Sequence, residues 1–145
     1  MQDIRLVNRF AGDRRALRNS FLREIERENT GEFSVLDVGA GSGELLRTIA
    51  LFARKQKRKA RLFGLELNER SARAIREESR LFPEIGSIRA DAFSLPFPDK
   101  AFDYAICSLF THHFTDELVV NILREMSRGA RREDCRVPGE VREPL

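Results

Sequence analysis

Apolar residues along the chain alternate between two spacings, a helical one of three to four residues and short, nearly continuous runs, and the alternation divides the chain into helices and strands. Leu17, Phe21, Leu22 and Ile25 recur at helical intervals between Asp13 and Glu28 and predict an amphipathic helix packed in front of a sheet. Phe33-Ser34-Val35-Leu36-Asp37-Val38 has the branched, apolar character of a buried strand. Leu45, Leu46, Ile49, Ala50 and Ala53 then form the inner stripe of a helix. Its end is marked by Arg54-Lys55-Gln56-Lys57-Arg58-Lys59, read as a solvated helix end and connection because cations suit a helix C-terminus. Residues 60–66 predict a second strand, and Asn68 predicts the cap of a helix running to about Arg80 with Ala72 and Ile75 inward. A third strand is expected at 87–90 and a fourth at 102–109. Thr115 is expected to cap a last helix, with Leu118, Val119, Ile122, Leu123 and Met126 on its apolar face. Between the third and fourth strands, Leu95-Pro96-Phe97-Pro98-Asp99-Lys100 cannot be helical, since two prolines remove donors and favour extended or turn geometry. It reads as a rigid connector that brings Phe97 near the functional site.

Strands alternating with helices predict an α/β fold: a Rossmann-like open sheet with parallel strands and helices on both faces. A length of 145 residues and 41% hydrophobic content suit one domain with one core. Residues 1–30 form an N-terminal helical segment and residues 31–128 the ligand-binding domain. Residues 129–145 have no period, two prolines and alternating charges, and are expected to be irregular. The fourth strand would then keep an open apolar edge, which invites self-association.

Charge and composition exclude several classes. The 26 basic residues exceed the 23 acidic ones by only three and are interspersed with them, so no nucleic-acid partner is expected. Arg5, Arg9, Arg14, Arg15 and Arg18 read as the solvated face of the leading helix, with an anionic-substrate or RNA-binding arm as the alternative. No apolar run approaches the roughly 18 residues of a membrane span, and the first residues lack the apolar centre of a signal peptide, so a cytoplasmic location is expected. Cys107 and Cys135 are too few and too far apart for a metal site or a disulfide framework; no metal is expected, and Cys107 reads as a small buried hydrophobe.

The candidate chemistry begins where the first strand ends. Gly39, Gly41 and Gly43 stand at alternate positions between that strand and the next helix, where a sharp turn needs positive φ and a ligand can lie against bare backbone. A dinucleotide fingerprint is Gly-x-Gly-x-x-Gly; here the third glycine comes one residue early and Glu44 follows it. Asp37 and Glu44 would repel a pyrophosphate and attract an ammonium or sulfonium charge.

Asp37-Val38-Gly39-Ala40-Gly41-Ser42-Gly43 resembles the first motif of class I S-adenosylmethionine-dependent methyltransferases, acid-x-Gly-x-Gly-x-Gly. The stretch Asp91-Ala92-Phe93-Ser94-Leu95-Pro96-Phe97-Pro98-Asp99, followed by Phe102-Asp103, is similar to the type 11 branch, which includes the ubiquinone and menaquinone biosynthesis methyltransferases. The resemblance covers roughly residues 33 to 128. It implies the class I methyltransferase fold with S-adenosylmethionine as cofactor and a small-molecule acceptor. It further implies that Asp37, Gly39, Ala40, Gly41 and Gly43 lie at the methionine end, that Glu66 lies at the ribose, that Leu67 joins the cofactor-binding set, and that Asp91 accepts from the adenine amino group with Ala92 beside the ring; the alternatives are a surface acid at Glu66 and a turn-initiating Asp at Asp91. Ser108, at the end of the fourth strand, joins the cofactor-binding set.

His112 and His113 follow the fourth strand, at the carboxyl edge where such sheets bind ligands. Imidazole suits proton transfer near neutral pH, so either is a candidate catalytic base; the alternative is that they cap the strand and shape the acceptor pocket. In the family a fifth, strongly apolar strand and two more complete the sheet, whereas the last residues here supply none, so the final strands read as missing. A catalytically impaired cofactor-binding or protein-interaction module is therefore the alternative function. A nicotinamide-dependent dehydrogenase is disfavoured by the glycine spacing and by Asp37.

Overall fold

The computed structural model describes residues 14–107, 115–130 and 135–136. In chain order they form α1 (Arg14–Glu28), β1 (Glu32–Val38), α2 (Glu44–Lys55), β2 (Lys59–Glu66), α3 (Glu69–Glu78), β3 (Ile85–Arg89), β4 (Tyr104–Cys107), α4 (Asp116–Gly129) and β5 (Cys135–Arg136). The strands pair in the order β3-β2-β1-β4-β5, and every pairing is parallel. The chain thus moves outward from β1 through β2 to β3 and returns past β1 to begin β4, which puts a topological switch point between β1 and β4.

β1 is central because both of its faces are covered. Phe33 and Val35 join the core under α1, α2 and α3, made with Phe21, Ile25, Leu46, Ile49 and Ile75. Leu36 and Val38 point the other way and join Ile122, Leu123 and Met126 of α4. The same two-residue period sends Tyr104 and Ile106 of β4 to the first core and Ala105 and Cys107 to the second, so Cys107 is the buried hydrophobe expected. Asn68 caps α3 by accepting from the Arg70 N–H at 2.7 Å, and Thr115 caps α4 by accepting from Leu118 N–H at 3.4 Å.

Several differences from the expectations have local causes. β3 starts two residues early, where the Leu62 N–H donates to the Glu84 carbonyl and opens the ladder. β4 starts later than residue 102, because Asp103 donates its N–H to Ser34 Oγ at 3.0 Å and Phe102 makes only an isolated bridge to Ala130. Phe97 does not face the functional edge. It packs edge-on against Phe102, ring centroids 4.8 Å apart, because Arg128 at the end of α4 holds the Leu95 and Phe97 carbonyls and draws the connector onto that helix.

The basic stretch after α2 is not a uniformly solvated end. The buried Arg58 donates to the Ile25 and Thr30 carbonyls and stacks 4.8 Å over the Phe33 ring. Arg54 pairs with Glu84 at 2.6 Å. Within residues 129–145 the described part includes a short strand. Cys135 and Arg136 run beside Ala105 and Ile106 as β5, so the outer edge of β4 is covered over those two residues. Two residues need only extended backbone to pair in this way, which is why apolar periodicity does not predict them. Residues 131–134 and 137–145 lie outside the described residues. Among the described residues no helix is long and apolar enough to cross a membrane.

Candidate functional site

The carboxyl ends of the strands lie side by side. Val38 pairs with Leu65 and with Cys107, and Glu66 pairs with Arg89, so the chain leaves β1, β2 and β3 along one edge. Asp37, next to last in β1, is completely buried there. The segment after β1 is tied back to β2, since the Gly39 N–H donates to the Leu65 carbonyl at 2.8 Å.

Residues 40–43 form a tight turn closed by the Gly43 N–H on the Ala40 carbonyl at 3.0 Å. Gly41 has φ 60° and Gly43 has φ 86°, conformations that carry a steric penalty for any residue with a Cβ. Gly43 is the N-cap of α2 and makes no side-chain capping hydrogen bond to its first turn.

Glu66, the last residue of β2, reaches across to this turn. Its Oε1 accepts the Gly41 N–H at 2.6 Å. Burial pushes the Glu66 carboxyl above its ordinary value, and the Gly41 N–H, which favours the charged form, works against that shift. The same residue's carbonyl accepts from the Ala90 N–H at 3.0 Å, so Glu66 joins the exits of all three strands. Leu67 follows it with its side chain largely exposed.

Asp91 makes the local contact of a turn residue: its Oδ1 accepts the Phe93 N–H at 2.9 Å, and its carbonyl accepts the Ser94 N–H at 3.1 Å. Ala92 is buried, and the Phe93 ring is partly exposed on the same turn. The structure thus brings Asp37, Gly39, Ala40, Gly41, Gly43, Glu66 and Leu67 together at the edge, with Asp91 and Ala92 one strand further out. Ser108, His112 and His113 lie outside the described residues.

Arg47 belongs to this site and was not singled out by the sequence. Its Nη1 donates to the Ser42 carbonyl at 2.7 Å and to Ser79 Oγ at 3.1 Å. A signal was there to be read. Arg47 lies near the start of α2, where the helix dipole disfavours a cation, so a basic residue there calls for a specific acceptor. Gly64, in the interior of β2, was also passed over. A Cβ on it would come within 2.8 Å of Ile75 Cδ1 and 3.0 Å of Ala40 Cβ, so its absence lets the turn and α3 close onto the strand.

Comparison with known proteins identifies the family and the fold. Residues 35–133 match the family model described as a methyltransferase domain. The chain is 32% identical over 96 residues to the ubiquinone/menaquinone biosynthesis C-methyltransferase UbiE of Rickettsia bellii, a match covering 64% of this chain and 38% of that protein. It is 31% identical to the UbiE protein of Rickettsia typhi over the same length. Among solved structures, the YcgJ protein of Bacillus subtilis superposes with a TM-score of 0.66 at 23% identity, over 81% of this chain and 47% of that one. A SAM-dependent methyltransferase of Methanosarcina mazei superposes with a TM-score of 0.63 at 22% identity, over 74% and 52%. The chain therefore spans less than two-fifths of the length of these curated relatives and about half that of the solved ones.

Proposed function

The chain belongs to the methyltransferase domain family, and from that premise we propose that it is an S-adenosylmethionine-dependent methyltransferase acting on a small-molecule acceptor. The observation that carries the reading is the approach of Glu66 to the glycine turn, an acid at the end of β2 lying against the bare backbone after β1. Oε1 is engaged by Gly41, and among the described residues Oε2 has no hydrogen-bond partner, so it is free to accept from a ribose hydroxyl. The Glu66 carboxyl lies beside the turn with Asp37 buried beneath it, an acidic pair that suits a cationic sulfonium or ammonium better than a pyrophosphate. The residues present fit the cofactor.

When bound, the cofactor supplies a methyl group activated by its sulfonium. In this reading Gly39, Ala40, Gly41 and Gly43 bring backbone against the methionine portion, with Asp37 below them. Glu66 and Leu67 hold the ribose, and Asp91 and Ala92 hold the adenine, Asp91 by accepting from its amino group. Ser108, next in sequence after Cys107, joins the cofactor-binding set. His112 or His113 takes the acceptor's proton where the acceptor must lose one, and fixed proximity supplies the rest of the rate. The alternative reading is a cofactor-binding or protein-interaction module without turnover.

Titration calorimetry with S-adenosylmethionine, S-adenosylhomocysteine and NAD tests the cofactor assignment. Dissociation constants on the order of micromolar for the first two, weakened by Glu66→Ala, are expected. A folded protein that binds neither, or that prefers NAD, overturns it. A methyl-transfer assay against an acceptor panel, repeated on His112→Ala and His113→Ala, separates the two readings: cofactor binding without transfer by the unsubstituted chain selects the second.

A further inference from the structure

We infer that Arg47 is a positioning residue for the cofactor, acting through the Ser42 carbonyl to hold the glycine turn in its binding conformation; this inference rests on the cofactor assignment above. The turn is gripped from two sides. On the β2 side, Glu66 holds the N–H of the Ala40–Gly41 peptide at 2.6 Å. On the α3 side, Arg47 holds the carbonyl of the Ser42–Gly43 peptide at 2.7 Å. With the Gly43 N–H already on the Ala40 carbonyl, the planes of the first and last peptides of the turn are both fixed, and the Gly41–Ser42 peptide between them is constrained at each end.

Arg47 is itself braced. Besides Ser42, its Nη1 donates to the buried Ser79, and its Nη2 lies 3.4 Å from Glu78 at the end of α3. Its side chain is only 18% exposed, which sets it apart from an ordinary surface arginine. A Cβ on Gly43 would stand 3.3 Å from Nη1, so the guanidinium lies directly against the N-cap of α2. A cation is disfavoured there by the helix dipole, and its retention is explained by the charge-assisted bond to the turn carbonyl. Because the guanidinium grips the turn from the side of α3, it acts on a ligand through the backbone.

Three variants of the full chain test this: Arg47→Met, which keeps the aliphatic stem and removes the donors, Arg47→Lys and Ser79→Ala. The readouts are the amide resonances of Gly41 and Gly43 in the ligand-free protein, the affinity for S-adenosylhomocysteine, and the thermal midpoint. Arg47→Met is expected to displace both glycine resonances while leaving that of Ala105 in β4 in place, and to weaken binding about tenfold, the loss of one charge-assisted hydrogen bond. Arg47→Lys recovers part of that affinity because one donor can still reach Ser42, and Ser79→Ala costs about two- to threefold. Unmoved glycine resonances, or affinity within about twofold of the parent in Arg47→Met, overturn the inference and leave Arg47 as a surface ion pair. Should Arg47→Met fail to fold, Ser79→Ala decides by the same two readouts. If the parent chain binds no S-adenosylhomocysteine, the cofactor assignment fails, and the glycine resonances decide the role of Arg47 in the turn independently.

Discussion

Glu66 and Gly41 are joined by a 2.6 Å hydrogen bond that ties the end of the second strand to the turn after the first. The carboxylate carries a cost in that place, because burial raises its folded pKa above the ordinary 4.5. With the folded value raised, the contribution of this group to stability is full below the unfolded pKa and declines as pH rises through the folded pKa. Glu66→Gln keeps an acceptor for Gly41 and removes the charge. At pH 7 its thermal midpoint is therefore expected to equal or exceed that of the parent, with the gap closing as pH falls toward 4.5, while affinity for S-adenosylhomocysteine drops about tenfold. Parallel melting series from pH 4 to pH 8 read the first effect, and a gap that widens on acidification would contradict it.

Gly64 links core packing to the same turn. A methyl group there meets Ile75, Leu46 and Ala40 at 2.8, 3.1 and 3.0 Å; the first is closer than packed side chains accept and the other two are tighter than most. Gly64→Ala is expected to cost about 1–3 kcal/mol by overpacking. Because Ala40 opens the turn, ligand affinity should fall as well. Urea unfolding and calorimetry on the same preparation check both, and a variant with unchanged stability would show that the helices can give way.

Arg128 and Glu125 fasten the proline connector to the end of α4. Arg128 donates to the Leu95 and Phe97 carbonyls and pairs with Asp99, while Glu125 accepts the Leu95 N–H at 2.8 Å. The hydrogen bond from Arg128 is the main cause holding the Glu125 carboxyl below its ordinary 4.5. With the folded value depressed, the stability this carboxylate contributes is present above the unfolded pKa and is lost as pH falls through the folded one. Arg128→Met is expected to cost about 1–3 kcal/mol at pH 7. The difference from the parent should shrink below pH 4.5, which denaturant unfolding at pH 7 and pH 3.5 measures.

The elements of the sheet were legible because each is written in local terms. Val35, Leu36 and Val38 mark a strand covered on both faces, Asn68 marks a cap, and three alternate glycines mark a turn of positive φ. Glu66 was legible as the acid at the end of the second strand, but its hydrogen bond to Gly41 appears only in the folded chain. What escaped is tertiary. Phe97 reads as a site residue from its place between two prolines, yet Arg128, thirty-one positions on, decides where it packs. Arg58 reads as one cation in a basic run, and only the folded chain brings Ile25, Thr30 and Phe33 around it. β5 is two residues long and has no period to detect.

Arg58 leads to the last prediction, on how the N-terminal helix is kept in place. The Ile25 carbonyl lies in the last turn of α1, where helix carbonyls lack intrahelical partners, and Arg58 Nη1 supplies a donor at 2.8 Å. Its Nε holds the Thr30 carbonyl at 2.7 Å and Nη2 holds Thr30 Oγ1 at 3.2 Å, so one planar fork fixes both the helix end and the turn that leads into β1. Phe21 and Ile25 supply the apolar contact of α1 with the sheet, but apolar contact does not fix the direction in which a helix ends. Arg58→Met preserves the stem over Phe33 and removes every donor, including the one to the buried Ile25 carbonyl. The expected loss is about 2–4 kcal/mol. Arg58→Lys should recover less than half of it, since a single ammonium cannot reproduce the fork. Limited proteolysis supplies the second measurement: cleavage in residues 28–31 should accelerate in Arg58→Met ahead of cleavage elsewhere. A variant within about 0.5 kcal/mol of the parent, with unchanged cleavage, would show that Phe21 and Ile25 hold the helix without the arginine.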